Sequence, residues 1–158
     1  MKKNILSVLV QNHSGVLSKI SGLFSRRGFN IESLTVGVCE IPDCSRMTII
    51  VNGDEHIVDQ VSKQLNKLID VISVELLSED SAVQRELILV KVKASGSERA
   101  EILQIAEVFR AKIVDISHDN LTLEITGQDS KNQGFLSMLK PFEIIKIIRT
   151  GITSVERG

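Results

Sequence analysis

The chain has 158 residues, 42% of them hydrophobic, which suits one ordinary domain or two small ones and excludes a disordered chain. Nineteen basic and 20 acidic side chains are mixed along it for a net charge of −1, which excludes an electrostatic footprint for nucleic acid or anionic lipid. No apolar run approaches the ~18 residues that span a bilayer, and the first one stops after Val10 with no small-residue cleavage site behind it. A cytoplasmic protein without signal peptide or membrane span is therefore expected, in which Cys39 and Cys44 are free thiols.

In chain order, Ile5-Leu6-Ser7-Val8-Leu9-Val10 is a short β-branched apolar run and predicts a buried strand. After it Val16, Leu17, Ile20, Leu23, Phe24 and Arg27 recur at three- and four-residue steps, one helix face, with Gly28 as the stop. The join, Asn12-His13-Ser14-Gly15, is a strand-to-helix turn in which Ser14 is the expected N-cap. Leu34, Val36 and Val38 then alternate with Ser33, Thr35 and Gly37, Pro42 and Asp43 supply a turn, and Met47, Ile49 and Val51 alternate again. This is a strand pair. Asp54 or a neighbour opens a second helix with Ile57, Val61, Leu65 and Leu68 on one face, and Ile72, Val74 and Leu76 mark a closing strand. The order through Leu77 is β-α-β-β-α-β, the ferredoxin-like α+β arrangement of four antiparallel strands with both helices on one face.

"SEDSAVQRE" (residues 78–86) breaks both periodicities and reads as a domain boundary, giving domains at 1–78 and 79–158. Beyond it "ELILVKVKA" is a strand, "SERAEILQIAEVFR" a helix, "AKIVDIS" and "NLTLEITG" a strand pair around "HDN", "DSKNQGFLSMLK" a helix ended by Pro141, and "EIIKIIR" a strand. The second half is thus a second βαββαβ-like α/β sandwich.

The chemistry expected of an enzyme is missing. His13, His56 and His118 are scattered among turns and helix surface, and Cys39 and Cys44 form a C-x4-C pair with no second pair to complete a zinc site. No G-x-G-x-x-G follows a strand and no P-loop occurs. The RNA-recognition motif shares the β-α-β-β-α-β order but stacks bases on strand aromatics; "ILSVLV" and "RMTIIV" carry none, and Tyr and Trp are absent. No catalytic and no metal-ligating residue is assigned.

The opening turn does offer a site for an amino acid. Gly15 and its successors present backbone N–H groups to a carboxylate, the Asn12 carbonyl suits an ammonium, and Val16 or Leu17 would line an apolar pocket. Asn30 and Ile31, where the first helix returns the chain, would lie beside this loop. A plain capped helix with Asn12 in an Asx-turn fits the same residues, and spacing alone leaves both readings open.

"ILSVLVQNHSGVLSKISGLFSRRGFNIESLTV", followed by "SRMTI", "RELILVKVKA", "AEVFRAKIVDIS", "TLEITG" and "RTGITSVERG", resembles the regulatory (small) subunit of acetolactate synthase, also called acetohydroxyacid synthase. The resemblance covers nearly the whole chain, and "RGFNIESLTV" is its most specific part. It implies an N-terminal ACT domain that senses a small molecule and dimerises, followed by an α/β domain of the small-subunit type. It also implies a non-catalytic chain that raises the activity of a separate catalytic subunit, the holder of thiamine diphosphate, FAD and magnesium, and confers feedback inhibition by valine in branched-chain amino acid biosynthesis. No cofactor is implied on this chain. Valine would sit between the ACT domains of two chains, at Asn12, Gly15 and Leu17 of the turn with Asn30 and Ile31. A fragment ending at Leu77 would on this division remain a valine-binding dimer. The reading from a different class is a stand-alone ACT-domain amino-acid sensor with no enzyme partner.

Overall fold

The structure is a computed structural model that describes residues 2–158. Its contacts divide the chain into two units, one that runs to Val83 and takes back Ile152–Gly158, and one spanning Gln84–Gly151.

The first unit contains β1 (Lys3–Gln11), α1 (Val16–Arg27), β2 (Ile31–Val38), β3 (Cys44–Asn52), α2 (Glu55–Asn66) and β4 (Val71–Leu77). The expected ferredoxin-like order is present, and the strands form an antiparallel sheet in the order β2-β3-β1-β4. Two-residue alternation aims Leu6, Val8, Val10, Met47, Ile49 and Val51 at one face, where Val16, Ile20, Leu23 and Phe24 of α1 and Val58, Val61 and Leu65 of α2 meet them. Arg27 lies outside this core: its guanidinium reaches the Gln64 side-chain oxygen at 3.0 Å on the surface. Asp54 caps α2 by accepting from the Ile57 N–H at 3.0 Å, and Gly28 closes α1 in the left-handed conformation at φ 69°.

The edge strands depart from simple alternation. Val36 and Val38 of β2 and Ile72 and Leu76 of β4 are exposed, because each lies on an outer strand with a neighbour on one side only. In β4 the register shifts at Leu9/Val10 of its partner, which sets Val71 opposite Val10 on the core face, while Leu77, opposite Ile5, is buried on the other face of the sheet.

The opposite face of this sheet is covered too. Ile5, Ile50, Leu77, Ala82 and Ile152 form a second apolar cluster. The Ile152 N–H donates to Ser33 Oγ at 3.1 Å, Thr35 Oγ1 donates to the Ile152 carbonyl at 3.3 Å, and the Arg157 N–H donates to the Ser81 carbonyl at 2.8 Å. The sequence reading places everything after residue 78 in the second domain; these contacts group Ile152–Gly158 with the first. They also make Ala82 and Val83 part of a strand, so the polar break narrows to residues 78–81. A fragment ending at Leu77 would leave Ile5 and Ile50 open to water.

In the second unit β5 (Ala82–Lys93), whose first two residues belong to the first unit, is followed by α3 (Ser97–Phe109), β6 (Lys112–Ile116), β7 (Asn120–Gly127), α4 (Asp129–Leu139) and β8 (Ile144–Arg149). The second β-α-β-β-α-β order is also as expected, with strand order β6-β7-β5-β8. Ile88, Val90 and Val92 of β5 and Leu121, Leu123 and Ile125 of β7 pack under Ile102 and Ala106 of α3 and Phe135, Leu136 and Leu139 of α4. A last strand, β9 (Thr153–Glu156), absent from the sequence reading, belongs to the first unit.

Candidate functional site

β1 ends at Gln11 and α1 begins at Val16, so residues 12–15 form the turn. Gly15, not Ser14, is the N-cap: it sits at φ 88°, and no side chain caps the helix. The reason is steric, since φ near +88° is open to glycine and strained for serine. The first intrahelical bond runs from the Lys19 N–H to the Gly15 carbonyl at 3.0 Å, which leaves the N–H groups of Val16, Leu17 and Ser18 outside the helical ladder. Nothing stands within 4 Å of the place a Gly15 Cβ would occupy, so an incoming group can approach the backbone there. Partial positive charge at the helix start favours an anion.

Two loops distant in sequence hold the turn from outside. The Asn12 N–H donates to the carbonyl of Asp43, in the β2–β3 hairpin, and the Gln11 N–H donates to the carbonyl of Asp70, in the loop before β4, both at 2.8 Å. The Asp70 carboxylate takes His13 Nε2 at 2.7 Å on one oxygen and Lys19 Nζ at 2.8 Å on the other. These partners, the Lys19 ammonium first and His13 second, hold the Asp70 carboxyl below the usual carboxylate range. A carboxyl whose folded-state pKa is depressed stabilises the fold above its ordinary unfolded value and ceases to do so as pH falls through the folded value. Asp70→Asn is therefore expected to lower the melting temperature near neutral pH, with wild type and variant converging in strong acid; thermal melts across that range test it.

The predicted site residues divide into two groups. Asn12 and Gly15 are exposed on the turn, and Leu17, 45% exposed, is the apolar side chain offered beside them. Val16 does not line a pocket: its side chain is 3% exposed and packs into the core, so only its backbone N–H faces outward. Asn30 and Ile31 are not beside the turn within one chain. Ile31 pairs with Val51, and Val51 with Asn4, which places them at the end of the sheet where β1 starts. The turn follows Gln11, seven residues along β1 from Asn4, or roughly 23 Å at ~3.3 Å per residue. The helix does return the chain to the sheet, but onto β2, which is separated from β1 by β3.

Asp70 escaped the sequence reading. Its only trace is one acid between Ile69 and Val71 in an otherwise apolar run, 57 residues from His13. A cavity of about 360 Å³ lies elsewhere, against Thr35, Arg46, Thr48, Thr153 and Ser154, and contains none of the predicted residues. Its Arg46 is occupied by both oxygens of Glu40, at 2.8 and 2.9 Å.

Two family models cover the two halves: an "AHAS small subunit-like ACT domain" over residues 6–73 and the "Small subunit of acetolactate synthase" over residues 85–158. The chain belongs to the acetolactate synthase small-subunit family. A protein of Methanothermobacter thermautotrophicus named "Probable acetolactate synthase small subunit" is 52% identical over 98% of this chain and 93% of its own length. The acetolactate synthase small subunit of Mycolicibacterium smegmatis is 49% identical over 97% of this chain and 90% of its own. The crystal structure of the acetolactate synthase small subunit from Thermotoga maritima superposes with a TM-score of 0.92 at 40% identity, covering 100% of this chain and 99% of that one.

Proposed function

We propose that this small subunit is the non-catalytic regulator of an acetolactate synthase: it stimulates a separate catalytic subunit and makes it sensitive to valine. The observation that carries the reading is the family likeness over both halves of the chain, joined in the first half to a helix start with open backbone donors. The effector site comprises Asn12, the Gly15–Leu17 backbone and the Leu17 side chain from one chain, with Asn30 and Ile31 from a second. The sheet topology supports a second chain. Pairing two β2 edges antiparallel about a two-fold axis brings the partner's β2 start to the end of the sheet that carries the turn, which one chain alone does not do. Such a homodimer also covers the exposed Val36 and Val38 edge.

Catalysis stays on the partner, which carries thiamine diphosphate, FAD and magnesium, and the assembly works in the cytoplasm. Among the described residues no cluster of three or more His, Cys, Asp or Glu could hold a metal, and no helix is long and apolar enough to cross a membrane. Regulation requires that valine bind one state of the assembly better than another, and by reciprocity the catalytic subunit alters valine affinity by the same factor.

Reconstitution tests this. The purified chain is expected to form no acetolactate from pyruvate, to raise the rate severalfold when added to the catalytic subunit, and to render that rate inhibitable by valine. An unchanged rate, insensitive to valine, would instead favour the stand-alone sensor.

A further inference from the structure

Glycine at φ 88° gives the turn its open approach but contributes no side chain to hold it, and α1 has no side-chain cap. A binding surface made of backbone donors works only if those donors are already aimed, since ordering them on binding would weaken the complex. The rigidity must come from elsewhere in the fold. Asp70 is placed to supply it: through two carboxylate oxygens and its carbonyl it grips His13 and Gln11 before Gly15 and Lys19 after it. Its side chain is only 11% exposed, whereas His13 and Lys19 are more than half exposed and would otherwise be free to wander. The titratable groups facing it are His13 from the turn and Lys19 from α1.

We infer that Asp70 is a positioning residue for the effector site: its carboxylate spans the Gly15 turn and holds the Val16–Ser18 N–H groups in the geometry that receives an amino-acid carboxylate. The identity of the effector rests on the reading given above; the bracing of the turn does not. Two acceptor oxygens are essential to the arrangement. An asparagine has one and carries no charge, so Asp70→Asn removes both ion pairs and leaves at most weaker neutral-acceptor or amide-donor contacts to Lys19 and His13, while keeping the volume.

The test uses the full-length chain at neutral pH, well below its melting temperature. Valine affinity by calorimetry is expected to fall at least ~10-fold in Asp70→Asn. Amide hydrogen exchange of Val16, Leu17 and Ser18 is expected to speed up in the same variant without ligand. Asp59→Asn, which removes a surface i,i+4 pair with Lys63 on α2, should leave both readouts at wild-type values. A purely stabilising role would lower the melting temperature of Asp70→Asn but leave the affinity and turn exchange of the folded protein intact, and that result overturns the inference. If Asp70→Asn does not fold, Lys19→Met removes one arm of the brace, and unchanged exchange at Val16–Ser18 in that variant overturns it equally. Should wild type bind no valine, the effector reading falls, and exchange in the unliganded protein still decides the role of Asp70.

Discussion

Gly15→Asp is expected to abolish valine inhibition of the reconstituted enzyme while leaving stimulation of the catalytic subunit in place. Two effects act together. The backbone at φ 88° is left-handed, a conformation that costs a non-glycine residue roughly 1–2 kcal/mol. The new carboxylate also stands where the effector's own carboxylate would bind, and it is itself favoured by the helix start, so it competes for the same donors. Open space around Gly15 means that the substitution meets no steric clash, and the fold should survive. Gly15→Ala separates the effects: it carries the backbone strain without the charge and should weaken valine inhibition less. Inhibition curves of the reconstituted enzyme measure both, and full sensitivity in Gly15→Asp would remove the turn from the effector site.

Ile152→Ala is expected to destabilise the first unit by about 2–5 kcal/mol, the range for truncating a buried isoleucine. Ile152 is 7% exposed against Ile5, Ile50, Leu77 and Ala82, although 70 residues separate it from Ala82. Removing residues 152–158 altogether should do more, because the backbone bonds to Ser33, Thr35, Thr48 and Ser81 go with the side chain. Urea unfolding of the full-length variants measures the loss. A change below ~0.5 kcal/mol for Ile152→Ala would mean that the tail adds nothing to the sheet it covers.

The consequence for domain dissection is direct. A fragment that keeps the first unit intact must retain the cover of the sheet's second face, so a cut after Leu77, at the polar break of residues 78–81, is too early. No periodicity could have shown this. "GITSVERG" is short and mixed, and its apolar Ile152 gains meaning only from Ile5 and Ile50 beneath it.

The order of strands and helices was legible because it rests on local signals: two-residue alternation in β3 and β7, three- and four-residue steps in α1 and α3, Gly28 and Asp54 at helix ends. Family membership was legible for a related reason, since the same local runs carry the resemblance. The strand-to-helix join at Gly15 was likewise readable, but whether its donors are open or capped was not, since Ser14 was the expected cap and the structure gives that place to Gly15. Three things came only from packing. Asp70 braces the turn from 57 residues away, the tail returns to cover the sheet after the whole second unit has intervened, and Asn30 and Ile31 lie at the far end of the sheet from the turn they were expected to join. Each depends on strand register and on which strand lies next to which. Those are set by long-range burial and leave no spacing in the chain to read.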